Sequence, residues 1–301
     1  MRTKDKTAKS FCPVCHNSSA SPWLSKFERT YYRCSLCRHV YVLLNNTILE
    51  TTRGNYVNGT FFRIEGNEKY YTDDCNIKSM RLKLDWINSY HRKGKLLDIG
   101  ANSGYFLKVA EEKFESQGIE ISPYAVEWSK RNLSVNNTVA SIEDLPDTYK
   151  GQYDVITMWD VIEHLPSWEI ALKNVTDALK PGGLFLLTTP DLSSMTARLL
   201  GKHWYHLHPI QHLHIFNKTN IIKILNSFGF EILGIQYWGR YYSLSYVFDR
   251  LTNFYLSPTS YSHRAAASIR KVFKFVENKR FYFSLHDVLG ICARKKEIAN
   301  S

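Results

Sequence analysis

Four cysteines in two tight pairs constrain this chain more than any other feature. Cys12-Pro13-Val14-Cys15 is followed, eighteen residues on, by Cys34-Ser35-Leu36-Cys37. Two such knuckles fit a four-thiolate structural zinc site, whose tetrahedral shell is full and leaves no position open for chemistry. Residues 1–10 are basic and polar and lack the apolar stretch of an export signal. The pairs are therefore expected to hold metal in a cytoplasmic protein rather than to form disulfides. Aromatic and β-branched residues in Tyr31-Tyr32-Arg33 and at 40–44 suit a small ribbon around the metal. So short a segment cannot bury an adequate core. Zinc binding, worth on the order of 10 kcal/mol in metal-folded peptides, would supply the missing stability. His16 and His39 adjoin knuckle cysteines and are expected to be bystanders.

The 301 residues leave room for one sizeable α/β domain behind this module. A composition of 44% hydrophobic and 22% charged residues excludes a disordered chain. No run of about 18 apolar residues occurs, so no transmembrane segment is expected, while peripheral membrane contact stays open. The net charge of +11 admits an anionic small molecule, an acidic membrane surface or RNA as partner without choosing among them.

From residue 77 onward helical and strand patterns alternate. Helical spacing covers 77–90, 105–114, 124–132, 170–179 and 219–228. Strands are expected at 95–99, 116–121, near Val139, and at 153–158, 184–188, 230–235 and 288–293, with Pro181-Gly182-Gly183 turning the chain into the fifth of them. This alternation predicts an α/β fold: a Rossmann-like, doubly wound, mostly parallel seven-stranded sheet behind an N-terminal zinc ribbon. The expected divisions are a zinc ribbon at 11–46, a linker and cleft-lining segment at 47–75, a catalytic domain at 76–236, and an aromatic, basic, lid-like insert with a final strand at 237–301.

The first strand of that sheet runs into Asp98-Ile99-Gly100-Ala101-Asn102-Ser103-Gly104, a glycine-bearing turn opening a helix, where backbone can approach a ligand closely. Twenty-two residues after Asp98, Glu120 ends the second strand, where a carboxylate can accept both hydroxyl hydrogens of a ribose. Glu143 lies where a third strand would end, and the fourth runs into Asp160-Val161-Ile162-Glu163-His164. All of these fall at C-terminal strand ends, the ligand-binding edge of open α/β sheets.

Over roughly residues 70–235 the chain resembles class I S-adenosylmethionine-dependent methyltransferases. The motifs are Asp98-Ile99-Gly100-x-x-x-Gly104, Glu120, Asp154-Val155-Ile156 with Glu163-His164-Leu165, and Leu179-Lys180-Pro181-Gly182-Gly183. The resemblance implies that Gly100 and Gly104 pass the methionine part of the cofactor and that Glu120 holds its ribose. It also implies that Ile142 and Glu143 meet the adenine and that Asp160 lies near the amino-acid moiety. Relatives usually carry a third glycine where this chain has Asn102; asparagine tolerates left-handed backbone, so a preserved turn is expected. A nicotinamide-dependent oxidoreductase would share the strand, loop and ribose acid but usually wants G-x-G-x-x-G.

Methyl transfer to a hydroxyl or acidic carbon needs a base, and histidine is the usual choice near neutral pH. His164, after the fourth strand, and His212, in Gln211-His212-Leu213-His214, are the candidates. Resembling sugar methyltransferases often have Glu-His where this chain has Gln211-His212. Tyr70 and Tyr71 precede the first catalytic helix, where relatives place aromatic residues over cofactor or acceptor; Tyr71 is counted with the catalytic candidates. A zinc module joined to this domain resembles bacterial enzymes that methylate sugars, including nucleotide-linked deoxysugars, and related small-molecule enzymes. By that analogy the expected acceptor is a small molecule, sugar-like or anionic. RNA base methylation and a non-catalytic cofactor-binding scaffold are the alternatives.

Overall fold

The computed structural model describes residues 11–60, 74–244 and 279–297, and its strands form two sheets. The chain opens with an antiparallel ribbon, β1 (Ala20–Lys26), β2 (Arg29–Cys34) and β3 (Val40–Val42), then helix α1 (Asn46–Val57). Helix α2 (Asp74–Asn88) leads into β4 (Lys95–Ile99), α3 (Tyr105–Ala110), β5 (Glu115–Glu120), α4 (Pro123–Leu133) and β6 (Asn137–Val139). The second half runs β7 (Tyr153–Trp159), α5 (Trp168–Ala178), β8 (Leu179–Pro190), α6 (Met195–Leu200), β9 (His214–Ile215), α7 (Lys218–Ser227), β10 (Phe230–Ser243) and β11 (Arg280–Lys295).

The larger sheet has seven strands in the order β10-β11-β8-β7-β4-β5-β6. Strands β6, β5, β4, β7 and β8 are parallel, whereas β11 runs antiparallel to β8 and β10 antiparallel to β11. The expected mostly parallel, doubly wound sheet is therefore present. From β4 the chain winds outward to β5 and β6, then returns to β7 on the other side. That reversal opens a crevice at the C-terminal ends of β4 and β7.

The central strands read as continuous apolar runs because both faces are covered. Leu97, Ile156, Phe185 and Leu187 pack on one face beneath Leu172 and Val175 of α5 and Ile221 and Leu225 of α7. Leu96, Val155 and Leu186 pack on the other beneath Leu84 and Ile87 of α2 and Phe106 of α3. Among the described residues no helix is long and apolar enough to cross a membrane.

The ribbon does not stand apart from the larger domain. β3 pairs with β9, Val40 opposite Ile215 and Tyr41 opposite His214, so the smaller sheet reads β1-β2-β3-β9. Trp204 and Leu207, from the loop leading to β9, share a core with Tyr31, Val40 and Val42.

Three local readings change. Residues 46–57, expected to be ribbon end and linker, are helical: Asn45 caps α1 by accepting from the Ile48 N–H at 2.8 Å, and Thr52 is its one buried residue. A helix that buries so little leaves no apolar period to read. Pro181-Gly182-Gly183 is not a turn before β8 but a bulge within it, between the pairs Tyr153–Leu179 and Val155–Leu184. Strands β10 and β11 extend past the sheet as a hairpin, Ser243 opposite Arg280, into what was read as the lid-like insert. Residues 245–278 of that insert lie outside the described residues, as do Tyr70 and Tyr71.

Candidate active site

The turn between β4 and α3 is built on positive backbone angles: φ is +69° at Gly100, +48° at Asn102 and +79° at Gly104. A Cβ on Gly100 would meet Val161 Cγ2 at 2.5 Å, and one on Gly104 would meet Val135 Cγ2 at 2.7 Å. Packing within the protein, together with the left-handed angle, therefore requires glycine at both positions. Gly100→Ala is expected to lower stability by about 1–3 kcal/mol, measured by urea unfolding, through strain and the displaced Val161. Asn102 takes the left-handed angle that asparagine tolerates.

Glu120 ties this turn to the next strand. Its Oε2 accepts from the Asn102 N–H at 3.0 Å and its Oε1 from the Ser122 N–H at 2.9 Å. Burial raises its pKa, and these backbone donors only partly oppose the rise. The Ile121 backbone adds a third donor, and the remaining acceptor capacity of the carboxylate is open to a ligand hydroxyl.

Asp98 is buried beside β7, where its Oδ1 accepts from Thr157 Oγ1 at 2.7 Å. Burial pushes its carboxyl up to about 7, against the pull of the Thr157 hydroxyl and of Lys83. Asp160, just past β7, sits at φ +57° and accepts from Thr188 Oγ1 at 2.8 Å. Burial acts to raise its pKa too, but Lys83 and the Thr188 hydroxyl outweigh it and hold Asp160 below the usual carboxylate range. Lys83 lies over the Trp159 ring with Nζ 4.6 Å from the centroid. Burial draws its ammonium down to about 8 against the attraction of Asp160.

Lys83 was not anticipated from sequence, although a signal exists. Asn76, Ser79 and Lys83 recur at helical spacing on α2, and Asn76 and Ser79 are buried. Polar residues on the inward stripe of an amphipathic helix mark a polar target.

Beyond Asp160 a short 3-10 turn carries Ile162, Glu163 and His164. Glu163 is 1% exposed and accepts from Thr189 Oγ1 at 3.0 Å; burial, and Asp160 nearby, lift its pKa well above the usual range. His164 Nδ1 lies 2.9 Å from the Gln211 carbonyl and 2.8 Å from the Tyr56 hydroxyl oxygen. A carbonyl only accepts, so the Gln211 contact calls for the proton on Nδ1, with the Tyr56 oxygen sharing that N–H as acceptor, and would leave the lone pair on Nε2. His212 follows the same logic, with Nδ1 2.7 Å from the His206 carbonyl. The two rings meet edge to face at 4.8 Å. Burial lowers the pKa of both, and for His212 the neighbouring His164 and His206 add to the effect.

The structure thus brings Asp98, Gly100, Asn102, Gly104, Glu120 and Asp160 to the strand ends lining the crevice, with His164 and His212 side by side beyond Asp160. Ile142 and Glu143 sit on the turn after β6. The Ile142 side chain joins the core, and its carbonyl accepts from Asn174 Nδ2 at 2.7 Å. Glu143 Oε1 accepts from the Ser167 N–H at 2.8 Å, ahead of α5, where a negative charge favours the helix start.

In the N-terminal ribbon, Cys12 and Cys37 place their sulfurs 3.5 Å apart, as do Cys15 and Cys34, and all four lie within 4.8 Å of one another. Thiolates about 2.3 Å from one ion at tetrahedral corners stand about 3.8 Å apart, so the four residues fit zinc. His39 faces away from that cluster, with Nε2 3.3 Å from His214 Nδ1.

This sheet order, with a left-handed glycine turn at the switch point and carboxylates at successive strand ends, defines a Rossmann-like methyltransferase fold. A family described as a methyltransferase domain matches residues 80–234, just over half of the sequence, and the chain belongs to that family. Among curated relatives, the ubiquinone biosynthesis O-methyltransferase of Azoarcus sp. (strain BH72) is 29% identical over 116 residues, 36% of this chain and 50% of that protein. The protein of the same name from Idiomarina loihiensis is 23% identical over 176 residues, 54% of this chain and 69% of its own. The chain thus spans about half the length of the first of these relatives. Among solved structures, the Burkholderia thailandensis 1,6-didemethyltoxoflavin-N1-methyltransferase, crystallised with S-adenosylhomocysteine, superposes with a TM-score of 0.53 at 13% identity, covering 92% of this chain and all of its own. An S-adenosylmethionine-dependent methyltransferase from Archaeoglobus fulgidus gives 0.51 at 17% identity over 76% of this chain and 97% of its own.

Proposed function

We propose that the chain transfers the methyl group of S-adenosylmethionine to a hydroxyl oxygen of a small molecule, and that Cys12, Cys15, Cys34 and Cys37 hold a structural zinc ion. The observation that carries this reading is the pair of adjacent imidazoles, His164 and His212, with ring centroids 4.8 Å apart, set beyond the strand ends that carry Asp98, Glu120 and Asp160. The cofactor, when bound, supplies an electrophilic methyl carbon on a sulfonium.

Glu120 accepts the ribose hydroxyls, the backbone of Gly100, Asn102 and Gly104 lines the methionine portion, and Asp160 draws the ammonium group. Ile142 and Glu143 border the adenine, and Asp98 adds negative charge beneath the cationic end of the ligand. Tyr71, outside the described residues, is kept as a catalytic candidate on the resemblance alone. A hydroxyl is a poor nucleophile until its proton is taken or its charge is stabilised. His164 and His212 serve that end through Nε2, as proton acceptors where they stand alone and as ligands where a cation joins them.

Oxygen is favoured as the acceptor atom because the curated relatives are named O-methyltransferases. An anionic or sugar-like acceptor is taken from the resemblance to small-molecule and sugar methyltransferases, and the net charge of +11 is compatible with an anionic one. The relatives lend no weight to RNA base methylation or to a silent scaffold.

Calorimetric titration of the zinc-loaded protein tests the cofactor site. S-adenosylmethionine is expected to bind with an affinity that falls about tenfold or more in Glu120→Ala, since a charge-assisted pair of hydrogen bonds contributes about 1.5–3 kcal/mol. An unchanged affinity would remove Glu120 from the site. Acceptor screening then compares phenols, nucleotide-linked sugars and RNA for methyl incorporation, and transfer to RNA alone would overturn the small-molecule reading.

A further inference from the structure

Glu163, His164 and His212 are arranged more strictly than proton transfer requires. Their ligand atoms, one carboxylate oxygen and two ring nitrogens, all lie within 4.8 Å of one another. Donors about 2.1 Å from a shared ion stand at most about 4.2 Å apart, so side-chain rotations alone would close the set. Each ring is oriented as metal-binding histidines are, with Nδ1 fixed on a backbone carbonyl and the Nε2 lone pair left for an ion: His164 on Gln211 at 2.9 Å, His212 on His206 at 2.7 Å. The carboxylate has its own outer contact, Thr189 Oγ1 at 3.0 Å.

The backbone pins the three together. Glu163 and His164 share the turn after β7, and the Leu213 N–H, next to His212, donates to the Glu163 carbonyl at 2.8 Å. Forty-seven residues separate His164 from His212 in sequence, and this hydrogen bond helps hold their segments side by side. Three protein ligands leave the remaining coordination positions for water or a substrate oxygen, unlike the closed four-thiolate set.

We propose that Glu163, His164 and His212 form a second metal site that binds one first-row divalent cation and presents it to the acceptor. Two imidazoles and one carboxylate suit manganese, iron, cobalt or zinc better than magnesium or calcium. The catalytic consequence rests on the reading as O-methyl transfer. A hydroxyl bound there releases its proton to solvent, the O–C bond forms as the S–C bond breaks, and no electron is exchanged. The imidazoles are then ligands, and Thr189 and Tyr56 are positioning residues.

The test uses full-length protein with its four-thiolate site filled by zinc, titrated with Mn2+ while the free-ion electron paramagnetic resonance signal is followed. One equivalent is expected to bind saturably, with nitrogen coupling to the bound ion in the wild-type complex, a signature that depends on no variant. Affinity is expected to fall about tenfold or more in Glu163→Gln and His212→Gln. Absence of saturable binding, or bound manganese without nitrogen coupling, overturns the proposal. Cofactor calorimetry run in parallel separates the two readings. No metal with intact cofactor binding leaves methyl transfer standing on an imidazole base; metal without cofactor binding leaves the site standing and removes methyl transfer.

Discussion

Stripping the zinc proposed at Cys12, Cys15, Cys34 and Cys37 with a chelator is expected to unfold the ribbon and abolish turnover while leaving the seven-stranded sheet folded. Within the ribbon itself the buried cluster is little more than Cys12, Cys34 and Tyr41, its other buried residues packing against the larger domain. Structural zinc contributes on the order of 10 kcal/mol in small metal-folded peptides, comparable with the whole stability of a typical domain. Contacts carry the loss to the active site. Tyr31 Oη donates to the His212 carbonyl at 2.8 Å, the Val42 N–H to the Leu213 carbonyl at 2.9 Å, and Arg29 Nη1 to the Pro209 carbonyl at 3.2 Å. The Cys37 carbonyl accepts from Asn217 and Asn220 at 3.2 and 3.1 Å, linking the second knuckle to the start of α7. Removing the ribbon's shape therefore releases the segment that positions His212. Hydrogen exchange before and after chelation measures this directly. Protection should vanish over 20–42 and 207–215, persist in β4 and β7, and return with added zinc. Unchanged exchange at 207–215 would show that the ribbon does not support the catalytic loop.

The parts of this protein that a sequence reveals are those where one residue type has one physical use. Leu96, Leu97, Val155, Ile156, Leu186 and Leu187 are covered on both faces of the sheet, and such burial writes itself as unbroken apolar runs. Gly100 and Gly104 stand out because each combines a positive φ with a neighbour that a Cβ would strike, at a turn that follows an apolar strand. Glu120 is legible because an acid at the end of a buried strand needs partners. Helix α1 was hidden, since it is held by an asparagine cap and buries little beyond Thr52. The support of the histidines was hidden for a different reason. Sequence comparison pointed to a carboxylate beside His212 and found Gln211, but both rings are held by main-chain carbonyls, of Gln211 and His206, which every residue possesses. Lys83 stayed invisible because a lysine beside an apolar stripe ordinarily reaches to solvent, and only the fold places this one over the Trp159 ring.

S-adenosylmethionine affinity is expected to fall as pH drops below 7, by up to about tenfold per pH unit for each proton displaced. Burial lifts the Asp98 carboxyl to about 7 from an ordinary 3.8, so in the free protein it is largely protonated below that pH. A ligand carrying a sulfonium and an ammonium favours the ionised carboxylate and must expel the proton to gain it. Glu120 is raised in the same sense, whereas Asp160 is lowered, stays ionised and adds no slope. The sign for stability is opposite. An acid whose folded pKa lies above its unfolded value favours the fold at low pH, and that contribution is lost as pH rises from about 4 to about 7, an effect of about 4 kcal/mol for Asp98. Ligand-free protein is thus weakened at neutral pH by the same group that readies the site for a cation. Asp98→Asn is expected to raise the melting temperature of ligand-free protein at pH 7.5, to weaken cofactor binding there, and to flatten the pH profile. Calorimetry from pH 5.5 to 8, in paired buffers of different ionisation enthalpy, counts the protons released. S-adenosylhomocysteine keeps the ammonium but lacks the sulfonium charge, so its profile should be shallower. A wild-type affinity independent of pH over this range would mean that binding leaves the protonation of Asp98 unchanged, making it a structural partner of Thr157 rather than part of the cation's binding site.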